Sequence, residues 1–256
     1  MKLLKSVSTG VLFMLCICWP VLMSGTGKRG QKIVAATKTT PVVAPPVSSP
    51  LSPDALLELE AIALYDSMKL RRAGLTQKAF LFAWKGYKKL LEKGTLKKDD
   101  VLSICDFSQS SRRKRMYVID VENKKLLLNT YVAHGKNSGR EYASSFSNKP
   151  ESHKSSLGFY VTRNSYYGEH GLALKISGLE SGINDKADQR NIVIHGSDYV
   201  EPGYVRSKGY AGRSYGCPAV PKKDSKKIIL TIKGGSCLFI YHPTNYYLAK
   251  SKILNG

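Results

Sequence analysis

The sequence predicts a mainly β domain, a sandwich or barrel, preceded by a short helical segment and carrying one late helix. Three observations lead there. Seven apolar runs of strand length crowd the chain after Lys98, turn-forming clusters of Gly, Asn, Ser and Lys separate them, and helical spacing is confined to residues 54–98 and a stretch near 224–234. A chain of 256 residues has room for one domain with a sizeable core plus a minor one.

The elements follow in order. At the start, Lys2 and Lys5 precede an apolar run from Val11 to Met23, with small-residue exits at Gly25 and Gly27. Residues 1–27 therefore read as a secretory signal or, uncleaved, as a membrane anchor; the run is short for a span and Pro20 interrupts it. Residues 28–53 shift to Thr, Val, Ala, Ser and Pro, ending in "TTPVVAPPVSSPLSP", a composition that buries no core and reads as a linker. Ser52 can cap a helix that has Pro53 at its first position, with Leu57, Ala61, Leu64 and Met68 on one face and Gly74 at its end. Thr76 can cap a second helix, whose Phe80, Trp84, Tyr87 and Leu91 repeat the spacing before Gly94 closes it.

From residue 99 to 247 the pattern is β. The runs are "VLSICDF", "MYVIDV", "KLLLNTYVAHG", "GFYVT", "LALKISGL", "NIVIHG" and "CLFIY", with "ENKK" as a hairpin tip and "DSKKIILTIKGG" as the late helix. Residues 248–256 read as a tail. The formal charge is +21, from 40 Lys and Arg against 19 Asp and Glu. An exported chain of that charge meets anionic envelope polymers and lipid surfaces, so nucleic acid is not the expected partner. The run "RRKR" at 112–115 reads as a solvated turn before a strand.

Five cysteines narrow the chemistry. Cys16 and Cys18 fall in the leader, and Cys105 and Cys237 sit in apolar runs as small buried hydrophobes. Cys217 alone lies in a Gly-rich loop, "HGSDYVEPGYVRSKGYAGRSYGCPAV". A free thiol has a pKa of about 8.5, so a nucleophilic cysteine needs a base or positive charge beside it. His195 ends the apolar run "NIVIH", and Gly196 lets the chain turn so that its ring faces a cleft. Acyl transfer also needs main-chain donors for an oxyanion. Pro218 has no N–H, which leaves Cys217 with Gly216 or Tyr215, while Ser214 can orient the loop through its own main chain.

The segments around these residues resemble the YkuD-type L,D-transpeptidases, whose signature is a His-Gly pair followed by Ser/Thr-His-Gly-Cys. Here these are His195-Gly196 and Ser214-Tyr215-Gly216-Cys217. Tyr215 departs from the second histidine and is similar to a subgroup with an aromatic there; "KAFLFAWKGY", "VAHGKNSG", "SSLGFYVT", "IVIHG" and "GRSYGCPAV" extend the likeness over residues 76–243. The resemblance implies a cysteine enzyme acting on peptidoglycan stem peptides in the periplasm or cell envelope. D-Alanine leaves, a thioester forms on Cys217, and the acceptor is a stem amine (a 3-to-3 cross-link), an envelope-protein amine (an anchored product), or water, as in an L,D-carboxypeptidase. By the same resemblance His195 is the base and the amides of Gly216 and Cys217 form the oxyanion hole. A non-catalytic, basic wall-binding module is the alternative.

Among the remaining candidates, His134 also precedes a glycine at a strand end and reads as a cleft-lining, substrate-binding residue. Arg213, in the cysteine's own turn, is a carboxylate-binding candidate, and Arg190 flanks the other side. His170 defaults to an exposed loop position. Positions 134, 170, 195 and 217 match no metal-ligand spacing, and no cofactor is implied.

Overall fold

The structure, a computed structural model, describes residues 51–169 and 171–256. Residues 1–50, which carry the expected leader and most of the expected linker, and His170 lie outside the described residues. Among the described residues no helix is long and apolar enough to cross a membrane.

Helix α1 (Pro53–Ser67) starts as its sequence dictates, with Ser52 Oγ accepting the Ala55 N–H at 3.3 Å. It does not continue to Gly74. The chain breaks at Lys69, which takes a left-handed φ of 54°, and restarts as the short α2 (Leu70–Ala73), swinging Leu70 fully into the core. Thr76 caps α3 (Gln77–Glu92). Phe80, Ala83, Trp84, Tyr87 and Leu90 form its buried stripe. Gly86 is the contact point with the sheet, because a Cβ there would fall 2.0 Å from the Phe159 ring.

Eight strands make one mixed sheet: β1 (Val101–Asp106), β2 (Met116–Asp120), β3 (Lys125–Thr130), β4 (Gly158–Gly168), β5 (Gly171–Gly178), β6 (Val193–Ser197), β7 (Ala219–Pro221) and β8 (Cys237–Tyr241). Their order is β3-β2-β1-β8-β4-β5-β6-β7, antiparallel except for β1 with β8 and β6 with β7. Just past β3, Ala133 bridges back to Ala219 of β7, so the two ends of the sheet nearly close into a barrel. The predicted β class holds, with one strand more than the seven foreseen. Strand β7 escapes notice because it has three residues, follows Pro218 and ends on Pro221, which has no ladder donor.

Helix α4 (Pro202–Lys208) lies in the long connection after β6, and α5 (Lys222–Ile232) is the predicted late helix. The run read as a tail is structured instead. Helices α6 (Asn245–Lys250) and α7 (Lys252–Asn255) bury Tyr247, Ile253 and Leu254. They are tied to the sheet by the buried Glu180 carboxylate, which accepts the Phe159 N–H at 2.8 Å, the Tyr247 hydroxyl at 3.1 Å and the Ser251 hydroxyl. The run "RRKR" also needs correction, since Arg112, Arg113 and Lys114 are exposed but Arg115 is fully buried.

Candidate active site

Parallel pairing of β6 with β7 sets His195 opposite Ala219, two residues beyond Cys217. This register brings the histidine and the cysteine to the same wall, and both line one open cavity of about 1040 Å³. Arg190, Asn191, Tyr199, Arg213, Ser214 and Tyr215 line it as well.

His195 is 7 % exposed, and its Nδ1 lies 3.1 Å from the carbonyl oxygen of Gly196. A carbonyl only accepts, so Nδ1 carries the proton and Nε2 the basic lone pair. Gly196 does not make the turn expected of it. It stays inside β6, holding the His195 ring through its oxygen, and a Cβ there would sit 2.7 Å from Ser225 Oγ, so its bareness lets α5 approach the strand.

The cysteine sits in a hydrogen-bonded turn. Ser214 Oγ accepts the Gly216 N–H at 3.0 Å and donates to the Cys217 carbonyl at 2.6 Å, the self-orienting role expected of it. Gly216 has φ +127° and its Cβ would be 2.9 Å from Lys154 O, so glycine is required there. Because its N–H is taken by Ser214, Gly216 is not placed to donate to an oxyanion, contrary to the expectation from the resemblance. The sulfur is partly buried, 3.5 Å from the Val193 N–H and 3.7 Å from Asn191 O. Burial raises the thiol pKa above its ordinary value; the Val193 N–H, the Arg190 guanidinium and the cysteine's own N–H act in the opposite direction. The balance favours the protonated thiol.

The other sequence candidates separate. Arg213 Nη1 donates to Lys136 O at 3.4 Å and Gly139 O at 3.3 Å while facing the cavity. Tyr215 is 67 % exposed, with its ring 4.4 Å from that of His153. His134 is not brought to the cavity: it is fully buried, Arg115 Nη2 donates to its Nδ1 at 2.7 Å, and its Nε2–H points to Gly139 O at 3.3 Å. A residue underrated by sequence is Arg190. Its guanidinium donates to Ser147 O at 2.8 Å and Lys154 O at 2.6 Å, which fixes a half-buried cation beside the sulfur. Its place before "NIVIH" was the available signal. Among the described residues no group of three His, Cys, Asp or Glu is arranged to hold a metal ion.

The sequence profile of the L,D-transpeptidase catalytic domain matches residues 71–241, two thirds of the chain and all of the cavity-lining residues named above. The chain belongs to this family. Solved structures that the chain matches in part include an L,D-transpeptidase from Mycobacterium smegmatis (14 % identity, 56 % of this chain and 59 % of that one, TM-score 0.35). Others are an Enterococcus faecium L,D-transpeptidase mutant (15 %, 56 % and 50 %, TM-score 0.36) and a helical cell shape determining protein from Campylobacter jejuni (14 %, 63 % and 57 %, TM-score 0.38). The matched region thus spans between half and three fifths of each of these chains. No curated protein sequence matches the chain.

Proposed function

We propose that this L,D-transpeptidase family member is an exported cysteine acyltransferase acting on peptidoglycan tetrapeptide stems. The observation that carries the reading is the shared cavity, in which a partly buried thiol and a tautomerically fixed imidazole face the same space. His195 Nε2 takes the thiol proton as Cys217 Sγ attacks the carbonyl of the third stem residue. With the Gly216 N–H engaged, the N–H groups of Cys217 and Tyr215 are the main-chain donors left in the turn for the developing oxyanion. Collapse breaks the amide bond, and the proton on His195 passes to the departing D-alanine amine. The thioester is then resolved by an acceptor amine, whose proton returns through His195 to the sulfur. Water in place of the amine gives trimming. Arg213, Tyr215 and Ser214 hold the substrate side of the turn, with Arg213 offering its guanidinium to a stem carboxylate.

The test is D-alanine release from disaccharide-tetrapeptide by the wild-type and Cys217→Ala proteins. Release that depends on Cys217 supports the reading, and equal release by both overturns it. Product masses then separate an amine acceptor from water.

A further inference from the structure

Arg115 is the largest fully buried side chain in the described structure, and it is a cation. Burial lowers its pKa to about 10, and among the described residues no carboxylate lies within ion-pair distance. Asp106, the carboxylate whose charge acts on it, is itself occupied by the Thr76 and Ser108 hydroxyls and the Gln109 amide. A lone buried guanidinium is expensive unless its donors are bonded, and four of its five N–H groups are. Here Nε and Nη2 donate to Val132 O at 3.1 and 3.0 Å, Nη1 donates to Gln109 O at 2.7 Å, and Nη2 also donates to His134 Nδ1 at 2.7 Å. The Phe107 ring stacks 4.7 Å from the guanidinium carbon.

What the guanidinium grips is the segment that splints the cysteine turn from both sides. Ahead of the cysteine, the Ser214 N–H donates to His134 O at 3.0 Å and the Lys136 N–H to Ser214 O at 2.6 Å. Behind it, the Ala133 N–H donates to Ala219 O at 2.8 Å. A third strut runs through Ser155, whose Oγ accepts the Gly135 N–H at 3.0 Å and reaches Gly216 O at 3.4 Å. His134 converts the grip into a fixed loop shape, because accepting from Arg115 at Nδ1 forces its proton onto Nε2, which donates to Gly139 O.

We propose that Arg115 is a positioning residue that sets the Cys217 turn through His134 and the 133–139 segment. The proposal rests on the reading of Cys217 as nucleophile for its consequence in rate, but not for its consequence in turn order. A displacement of about 1 Å at a reacting atom can cost roughly 100-fold in rate.

The test compares full-length wild type with Arg115→Met, His134→Leu and His134→Gln, following kcat and KM for D-alanine release, the melting temperature, and hydrogen exchange of the peptide spanning 213–219. Methionine fills the space without the fork. Leucine cuts only the His134 link and keeps the Arg115 bonds to Val132 and Gln109, so it serves if Arg115→Met fails to fold. Both substitutions should lower kcat by about 100-fold with KM unchanged, and should speed turn exchange by about tenfold relative to the β1 and β8 amides. Glutamine offers Arg115 an acceptor and Gly139 O a donor while remaining neutral, and should recover most of both readouts. Wild-type kcat and turn exchange in His134→Leu would overturn the proposal, as would faster exchange spread evenly over the fold or a glutamine variant no better than leucine. A wild-type protein that releases no D-alanine would sink the functional reading alone, and the exchange arm would still decide this one.

Discussion

His134-Gly135 and His195-Gly196 look alike in the sequence: each pair closes an apolar strand-like run and opens a loop. The fold sends them to opposite uses. At His134 both ring nitrogens are bonded inside the protein, and burial, reinforced by the Arg115 charge, depresses the pKa from 6.5 to about 3. At His195 one nitrogen is held by its neighbour's carbonyl while the ring faces a cavity shared with a thiol. Strand position alone does not separate a core histidine from a cavity-lining one.

Breaking the pair on the cavity side should give the largest effects. Removing the sulfur with Cys217→Ala should abolish turnover, roughly a 10⁴-fold loss or more in kcat measured by D-alanine release. His195→Ala should cost about 10²–10⁴-fold in the same assay, with the binding of substrate little changed. Gly216→Ala puts a side chain at φ +127° and 2.9 Å from Lys154 O, so denaturant unfolding should show a loss of about 1–3 kcal/mol together with slower turnover.

The His134 side predicts a different signature, in stability. A pKa held below its unfolded value means that the unfolded chain binds the extra proton first, so stability is full above pH 6.5 and is lost as pH falls toward about 3. Urea unfolding across that window should show a loss of order a few kcal/mol, and His134→Gln should flatten the part of the slope due to this group. A slope unchanged by the substitution would remove His134 from the account. The smallest effect should come from Tyr215→Ala. It removes an exposed ring packed at a tilt against His153, and a few-fold rise in KM with kcat kept is expected.

How much of this was legible depends on how local each feature is. The caps at Ser52 and Thr76, the apolar runs of β1, β2 and β8, and the late helix follow from local pattern within a few residues, and the structure contains them. The convergence of positions 195 and 217 was legible as a motif, while its means, the β6–β7 register, was hidden in a three-residue strand between prolines. Long-range capture was not readable at all. Nothing near "RRKR" says that its fourth residue, just ahead of β2, is buried against Val132 and His134, and nothing in "SYGC" says that Ser214 claims the Gly216 N–H. The C-terminal run looked like a tail because its anchor, Glu180, lies 67 residues before Tyr247.

The most direct measurement of the central claim is mass spectrometry of the protein quenched during turnover of disaccharide-tetrapeptide, followed by peptide mapping. The pairing of Cys217 with His195 predicts a disaccharide-tripeptide acyl group on the peptide carrying Cys217, formed far more slowly in His195→Ala. An acyl group on any other residue, or D-alanine released at full rate while Cys217 stays unmodified, would contradict it.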